Sequence, residues 1–579
     1  MDSQAKIQYG LGTAYLALGK NRLNSQDDLS SINQAIATFT QAAISVDELN
    51  KMGRPGIEVA ALQLSIGEAW HALGEKTSGR ESLGYFNKAL DAFNEADKAI
   101  KQEDKRVRSD LKNNVGQTYL DLAKQTNDPT RKIVHIKDAI SGFDEASTTY
   151  LALLDSGQNS CVSCAAASLI DLGIAWDLLG QTINASSKTA SYRDKTLNAF
   201  EKADKAINRI KREVEPVTWA RLKAVLGKAF SDLAARTSNP RRSVEYLDRA
   251  VIAHDEVYAL VSQGYCPPCA VQSLIELGMV RSMLALRIRD AAKSAGYVDK
   301  ALDAFDKADT AIDNIKQTGR PLSLAWSKTS LGNAFSDLAG RSSDPAKNVV
   351  YLDKAATAYT EAYALANQDN CSACTVQILI DLGNNWNSLG QMTRTPAKIA
   401  EYRNKSLDAF DKADKAINTI KREDEPIIWA GSKALLGVAF LDLAQRTNDP
   451  AKNTEFLNKA ATAFEAAAAV YNGPDVTQDY CSPCAVHSLI ILGSAWNTLG
   501  QASSNPLKSA DYSRKASDVY DKADRVINNI KGNEDKFIWA SLKSTLGQMF
   551  FDLASGTGDP TRKVDYLNRA AAAYDEVAK

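Results

Sequence analysis

All eight cysteines of the 579-residue chain fall in four C-x-x-C pairs: Cys161/Cys164, Cys266/Cys269, Cys371/Cys374 and Cys481/Cys484. Two thiols at that spacing could attach haem, bind a metal, exchange disulfides or staple a turn. Haem attachment needs a histidine directly after the second cysteine, and here stand Ala165, Ala270, Thr375 and Ala485. Zinc or iron–sulfur centres need about four ligands per site. The pairs recur at steps of 105, 105 and 110 residues. At helix packing distances of about 8–10 Å, pairs two hairpins apart lie roughly 20 Å from each other, so they share no metal within one chain. Two thiolates alone suit Cu(I), although no methionine stands beside the pairs. Redox exchange is favoured by a cysteine at a helix start, where the thiol pKa falls. The residues inside each pair vary (Val-Ser, Pro-Pro, Ser-Ala, Ser-Pro), as expected where only the sulfurs matter. A local disulfide entering a helix fits best, because i and i+3 in a helical turn are close enough to bridge. Copper or zinc at the pairs is the alternative; otherwise no cofactor is expected. With no cysteine left over, the pairing favours an oxidising compartment. The expected location is periplasmic or secreted, with a leader that this sequence does not carry; a cytoplasmic location is the alternative.

Other chemistry is sparse. The four histidines (His71, His135, His254, His487) share no spacing, so no metal cluster or His-based catalysis is expected. There is no Gly-rich phosphate loop. Lys plus Arg number 69 and Asp plus Glu 70, a balance that gives no support for a nucleic-acid or anionic-membrane surface. No run of 18 consecutive apolar residues occurs, so no membrane span is expected. The chain is read as non-enzymatic.

The elements that carry the pairs repeat. Each pair leads into a segment such as "SLIDLGIAWDLLG" from Ser168, "SLIELGMVRSMLA" from Ser273, "ILIDLGNNWNSLG" from Ile378 and "SLIILGSAWNTLG" from Ser488. "QLSIGEAWHALG" from Gln63 is a fifth copy without cysteines. Between them lies a second kind, such as "WARLKAVLGKAFSDLA" from Trp219 and "WAGSKALLGVAFLDLA" from Trp429. After each comes A-x-x-x-[FY]-x-x-A, as in Ala301/Phe305/Ala308, recurring every 50 to 57 residues. Small and aromatic residues at i, i+4 and i+7 form one face of a helix. Asp-Pro in "TNDP", "SSDP" and "TGDP" predicts an N-cap followed by a first helical residue. Neither helix of a unit buries its stripe alone; stacked neighbours do. The expected fold is an all-α solenoid over 1–579, of about eleven antiparallel helical hairpins in two alternating types.

L-G-x-x-[WYF] followed by A-x-x-x-[FY]-x-x-A resembles the tetratricopeptide repeat across nearly the whole chain. Units here run near 53 residues, against a family pattern of about 34. The resemblance implies a right-handed superhelix whose first helices line a groove that binds a protein or peptide. Its contact offsets, carried onto this sequence, fall on Arg221, Lys228 and Asp232, on Asn333, Ser336 and Asp337, on Asn384, Asn387 and Ser388, and on Asn497 and Gln548. Amide side chains suit extended backbone because they donate and accept. An aspartate five residues after the glycine recurs as Asp121, Asp232, Asp337, Asp442 and Asp552. That row would bind a basic ligand or pair with Lys and Arg of neighbouring helices. The tryptophans that follow the glycine by three (Trp70, Trp176, Trp386, Trp496) are expected to pack between hairpins. Trp326 lies six before Gly332, on the groove side, where a ligand could touch it.

Three functions follow. A groove-binding scaffold comes first, a metal- or thiol-active protein second. The third is an array stacking end to end as a homo-oligomer, suggested by termini without polar capping helices.

Overall fold

The structure is a computed structural model. It describes residues 2–21, 26–51, 59–77, 79–101, 104–126, 128–157, 161–183, 186–260, 267–316, 320–342, 344–369, 371–423, 425–447, 449–471, 482–503, 505–530 and 536–578. Among these, every element is a helix. The chain divides into two compact units, Met1–Cys266 and Pro267–Lys579.

The first unit holds α1 (Asp2–Asn21), α2 (Gln26–Lys51), α3 (Val59–Lys76), α4 (Gly79–Ala99), α5 (Lys105–Gln125), α6 (Pro129–Asp155), α7 (Val162–Ile183), α8 (Ser186–Ile207), α9 (Pro216–Arg236) and α10 (Pro240–Leu260). The second holds α11 (Pro267–Arg287), α12 (Ala291–Ile315), α13 (Pro321–Arg341), α14 (Pro345–Gln368), α15 (Ser372–Met392), α16 (Pro396–Ile417), α17 (Pro426–Gln445), α18 (Pro450–Tyr471), α19 (Ser482–Ala502), α20 (Pro506–Ile530), α21 (Lys536–Gly556) and α22 (Pro560–Ala578). Consecutive helices pair into eleven hairpins, as the repeat count predicts. The fold is an all-α solenoid of tandem helical pairs.

One contact builds every hairpin. The glycine of the first helix lies against the aromatic ring of the second. A Cβ on Gly173 would stand 2.3 Å from Phe200, on Gly383 2.3 Å from Phe410, and on Gly493 2.2 Å from Tyr520. The missing side chain lets the ring seat on backbone, and the flanking alanines let the helices close. Phe410 and Phe305 are fully buried there, each contributing about 2–3 kcal/mol of apolar transfer. In α9/α10 the ring is His254, opposite Gly227.

The predicted caps form. Asp128 accepts from the Thr130 amide at 2.8 Å, with Pro129 as the first helical residue. Asp344, Asp449 and Asp559 accept from the amides two residues on at 2.9–3.0 Å. This removes one of the free N–H groups at each helix start.

Two kinds of junction alternate along each unit. After α5/α6 and α13/α14 the second helix packs along the next first helix, α6 on α7 and α14 on α15. After a cysteine hairpin, the two first helices pack side by side, as α7 with α9 and α15 with α17. Three helices, Val162–Ile183, Cys269–Arg287 and Pro426–Gln445, are long and apolar enough to cross a membrane by length and composition, although none is an unbroken apolar run. Here 50%, 61% and 44% of those stretches are buried inside the hairpin array.

Candidate functional site

The cysteine pairs sit where helices begin. Cys161 and Cys164 are bridged with Cα atoms 5.1 Å apart, and Cys371 and Cys374 at 5.3 Å. Cys269 and Cys484 are also disulfide-bonded, while Cys266 and Cys481 lie outside the described residues. Among the described residues no cysteine is free. The first sulfur doubles as the cap: Cys161 Sγ accepts from the Cys164 amide at 3.1 Å, and Cys371 Sγ from the Cys374 amide at 3.3 Å. This does for α7 and α15 what Asp-Pro does for their neighbours.

The first helices carry the second candidate. On α13 the positions Ser323, Trp326, Ser330, Asn333 and Asp337 are among those exposed or half-exposed. Their spacing of three and four makes one solvent-facing stripe. Trp326 is 47% exposed, whereas Trp219 and Trp539, eight residues before their glycines, are 0% and 7% exposed. Asn333 is exposed and accepts from the Tyr359 hydroxyl at 2.6 Å. Asn384 on α15 and Arg221 on α9 are exposed. Lys228, also exposed, reaches Asp232 at 3.4 Å. Asn497 is buried and accepts from Gln501 at 3.4 Å, so it lies inside the array and not on the groove. Ser336 donates to Asn385 at 3.1 Å, which ties α13 to α15. Ser388 folds back onto the Asn384 carbonyl at 3.0 Å.

The aspartate row is internally satisfied. Asp337 pairs with Arg341 at 2.5 Å. Asp442 meets Arg446 at 2.5 Å and Asn387 at 2.8 Å. Gln548 donates to Asp552 at 2.8 Å and accepts from Tyr574 at 3.2 Å. Asp121 meets His71 at 3.0 Å and Lys124 at 2.8 Å. Burial alone would raise its carboxyl, but the His71 hydrogen bond and the Lys124 charge outweigh that and hold it below the ordinary value. Most of these partners stand three or four residues away on the same helix. Partners on neighbouring helices appear at Asp121 and Asp442, but they are His71 and Asn387 and not the expected Lys or Arg.

The tryptophans after the glycine stack on a tyrosine of their own hairpin, and Trp176 also lines a cleft with Leu233 and Arg236 of the next one. Trp176 lies on Tyr192 with centroids 5.7 Å apart, and Lys195 Nζ sits 4.1 Å over the indole. Trp386, Tyr402 and Lys405 repeat this, as do Trp496, Tyr512 and Lys515. The cysteine hairpin α11/α12 has Arg281 and Tyr297 instead.

Sequence reasoning missed two sets. The first is a lysine four residues before the glycine in each hairpin without cysteines, from α5 onward. Lys328 is 1% exposed and meets Asp309 at 2.5 Å and Glu361 at 2.7 Å. Lys223 meets Asp204 at 2.6 Å and Glu256 at 2.8 Å; Lys543 meets Asp524 at 2.5 Å and Glu576 at 3.0 Å. Each ammonium joins the preceding hairpin's second helix to its own. The signal was present as an aspartate following the motif's last alanine, 19 residues before the lysine in four of the five hairpins and 15 before it at Lys112. The second set is an aliphatic stripe on α17, where Ile428, Leu435 and Val438 are all exposed.

No known family description matches the sequence, and no curated protein does. Solved structures similar to it include a Rap protein complexed with the competence and sporulation factor, at 10% identity over 91% of this chain and 100% of that one, with a TM-score of 0.34. The S. pombe nuclear import adaptor Nro1 is similar at 14% identity over 53% of this chain and 91% of that one, TM-score 0.34. A circular tandem repeat protein of novel topology is similar at 13% identity over 83% and 98%, TM-score 0.30. The glycine-on-ring contact in each of eleven hairpins makes the chain a tandem helical-hairpin repeat.

Proposed function

We propose that the chain is a non-catalytic scaffold that binds an extended peptide along the first helices α13, α15 and α17. The exposed indole of Trp326 carries this reading. A large ring left in water, when Trp219 and Trp539 two positions earlier in their own hairpins are buried, is suited to anchoring a partner. Asn333 and Asn384 supply donors and acceptors for peptide backbone. The α17 stripe of Ile428, Leu435 and Val438 supports apolar side chains in the partner. The satisfied aspartates argue against a strongly basic ligand. The disulfides at the helix starts support an oxidising location, periplasmic or secreted.

The test is selection of peptides from a displayed library on the intact, oxidised chain, followed by affinity measurement. The double variant Trp326→Ala, Asn384→Ala should weaken the selected peptides more than about tenfold, since an anchor of this kind supplies about 2 kcal/mol. Equal binding to wild type and variant would show the groove assignment to be wrong.

A further inference from the structure

The side-by-side junction of first helices occurs five times, and its far end is built from the same positions each time. One is four residues after the glycine of the leading helix: His71, Asp177, Ser282, Asn387 and Asn497. The other is nine residues after the glycine of the following helix: Gln125, Arg236, Arg341, Arg446 and Gly556. Three of the five junctions therefore hold a guanidinium. Arg236 donates to Asp177 at 2.6 Å, beside a cleft of about 170 Å³ that also includes Trp176 and Gln181. Arg446 donates to Gln391 and Asp442, each at 2.5 Å. Arg341 lines the matching cleft on α11 and α13.

The first junction differs. Its arginine position is Gln125, which carries no charge and whose Oε1 is buried with no hydrogen-bond partner. The leading position is a histidine, and two carboxylates meet it. His71, Glu75 and Asp121 each offer one ligand atom, and those atoms all lie within 4.8 Å of one another. His71 Nε2 is 3.0 Å from Asp121 Oδ2, and His71 Nδ1 is 3.9 Å from Glu75 Oε2. Lys124 takes the other Asp121 oxygen at 2.8 Å and stands half-exposed, so it swings away without disturbing the helix. Gln117 also donates to Asp121 Oδ2, at 3.2 Å.

One imidazole and two carboxylates form the donor set of borderline divalent cations. Tetrahedral zinc with bonds near about 2.1 Å puts its ligands roughly 3.4 Å apart. Asp121 stands at Nε2 and Glu75 at Nδ1, so a metal on Nε2 takes Asp121 close to where it stands and Glu75 by a change of rotamer. We propose that His71, Glu75 and Asp121 form a divalent-cation site, zinc(II) first, that clips hairpin α3/α4 to α5/α6. The metal takes the place that a guanidinium holds in the junctions of α7 with α9 and α15 with α17. Soft thiolates are not needed, because the disulfides withdraw all the described cysteines.

The full chain, purified without reductant and shown to have no free thiols, is titrated with zinc chloride by calorimetry and by thermal unfolding. Wild type should bind one equivalent and gain thermal stability on binding. His71→Ala should bind at least about tenfold more weakly. Gln125→Arg, which imports the residue of the other junctions and leaves every ligand in place, should bind equally poorly while keeping the wild-type helical signal. Absence of zinc uptake by wild type, or wild-type affinity in both variants, overturns the site. Peptide binding through Trp326 is untouched by either result.

Discussion

The cysteine hairpin α15/α16 and the hairpin after it, α17/α18, share an interior and differ at the edges. Both seat an aromatic ring, Phe410 or Phe464, on the glycine of the first helix. The cysteine hairpin starts with a disulfide that caps its helix and ends in a Trp–Tyr–Lys stack. Its successor starts at Pro426 and hides Lys433 against Asp414 at 2.5 Å. The first kind is fastened to itself. The second is fastened to its neighbour, since Asp414 belongs to α16. The disulfide is local and the buried lysine's ion pair is inter-hairpin, so the two should fail differently.

The largest expected effect is on the ionic side. Lys328→Met should lower the unfolding free energy of the full chain by about 3 kcal/mol, near the low end for a buried pair because Asp309 and Glu361 stay partly in water. Urea unfolding measures it; a loss below about 0.5 kcal/mol would mean the lysine is only tolerated. Burial opposes its charge, but the hydrogen bonds it donates to Asp309 and Glu361 prevail, so the Lys328 pKa is raised above 10.5. Its contribution is therefore complete below that value and is lost as pH climbs through the raised one. Wild type and variant should converge in strong alkali.

The next effect tests the shared interior where it departs from a plain ring. His254 replaces the aromatic, has both ring nitrogens unpartnered, and is held by burial, with a smaller push from Lys228, at about 4 against 6.5. Between those values the unfolded chain takes up a proton that the folded chain refuses. Stability should therefore fall as pH drops from about 6.5 toward 4, by at most about 3 kcal/mol. His254→Phe should remove that slope and leave the slope from carboxylates. An unchanged pH profile would mean the ring finds a proton acceptor on protonation.

The smallest effect is covalent. Cys371→Ser with Cys374→Ser should cost about 2 kcal/mol by loop entropy, because the closed loop is so short. The serine that replaces Cys371 can still cap α15. A loss larger than that of Lys328→Met would reverse the ranking of local over inter-hairpin fastening.

Local features were legible in the sequence and distant partnerships were not. Glycine, ring and alanine spacings identify the helices and their pairing, because those contacts stay within one hairpin. Asp-Pro marks helix starts because the cap is two residues long. Trp326 was singled out by its offset, and the structure leaves it exposed. The aspartate row looked like a charged surface because its partners, such as Arg341 and Arg446, lie on the same helix, where spacing alone does not say whether two side chains meet. His71 looked solitary because Asp121 stands 50 residues away. Lys328 hid for the same reason: charged residues read as solvated until three carboxylates from two other helices converge on one ammonium.

The alternation of junctions has a consequence for how such a chain lengthens or shortens. A helix built to lie along a second helix is not built to lie beside a first one, so the two hairpin types are not interchangeable letters. Loss of a single hairpin sets two surfaces of the same kind against each other, with a stranded lysine or an unmet aspartate at the seam. Loss or gain of two restores both kinds of seam at once. The heritable module is thus the pair of about 105 residues, and viable length variants should differ by even numbers of hairpins.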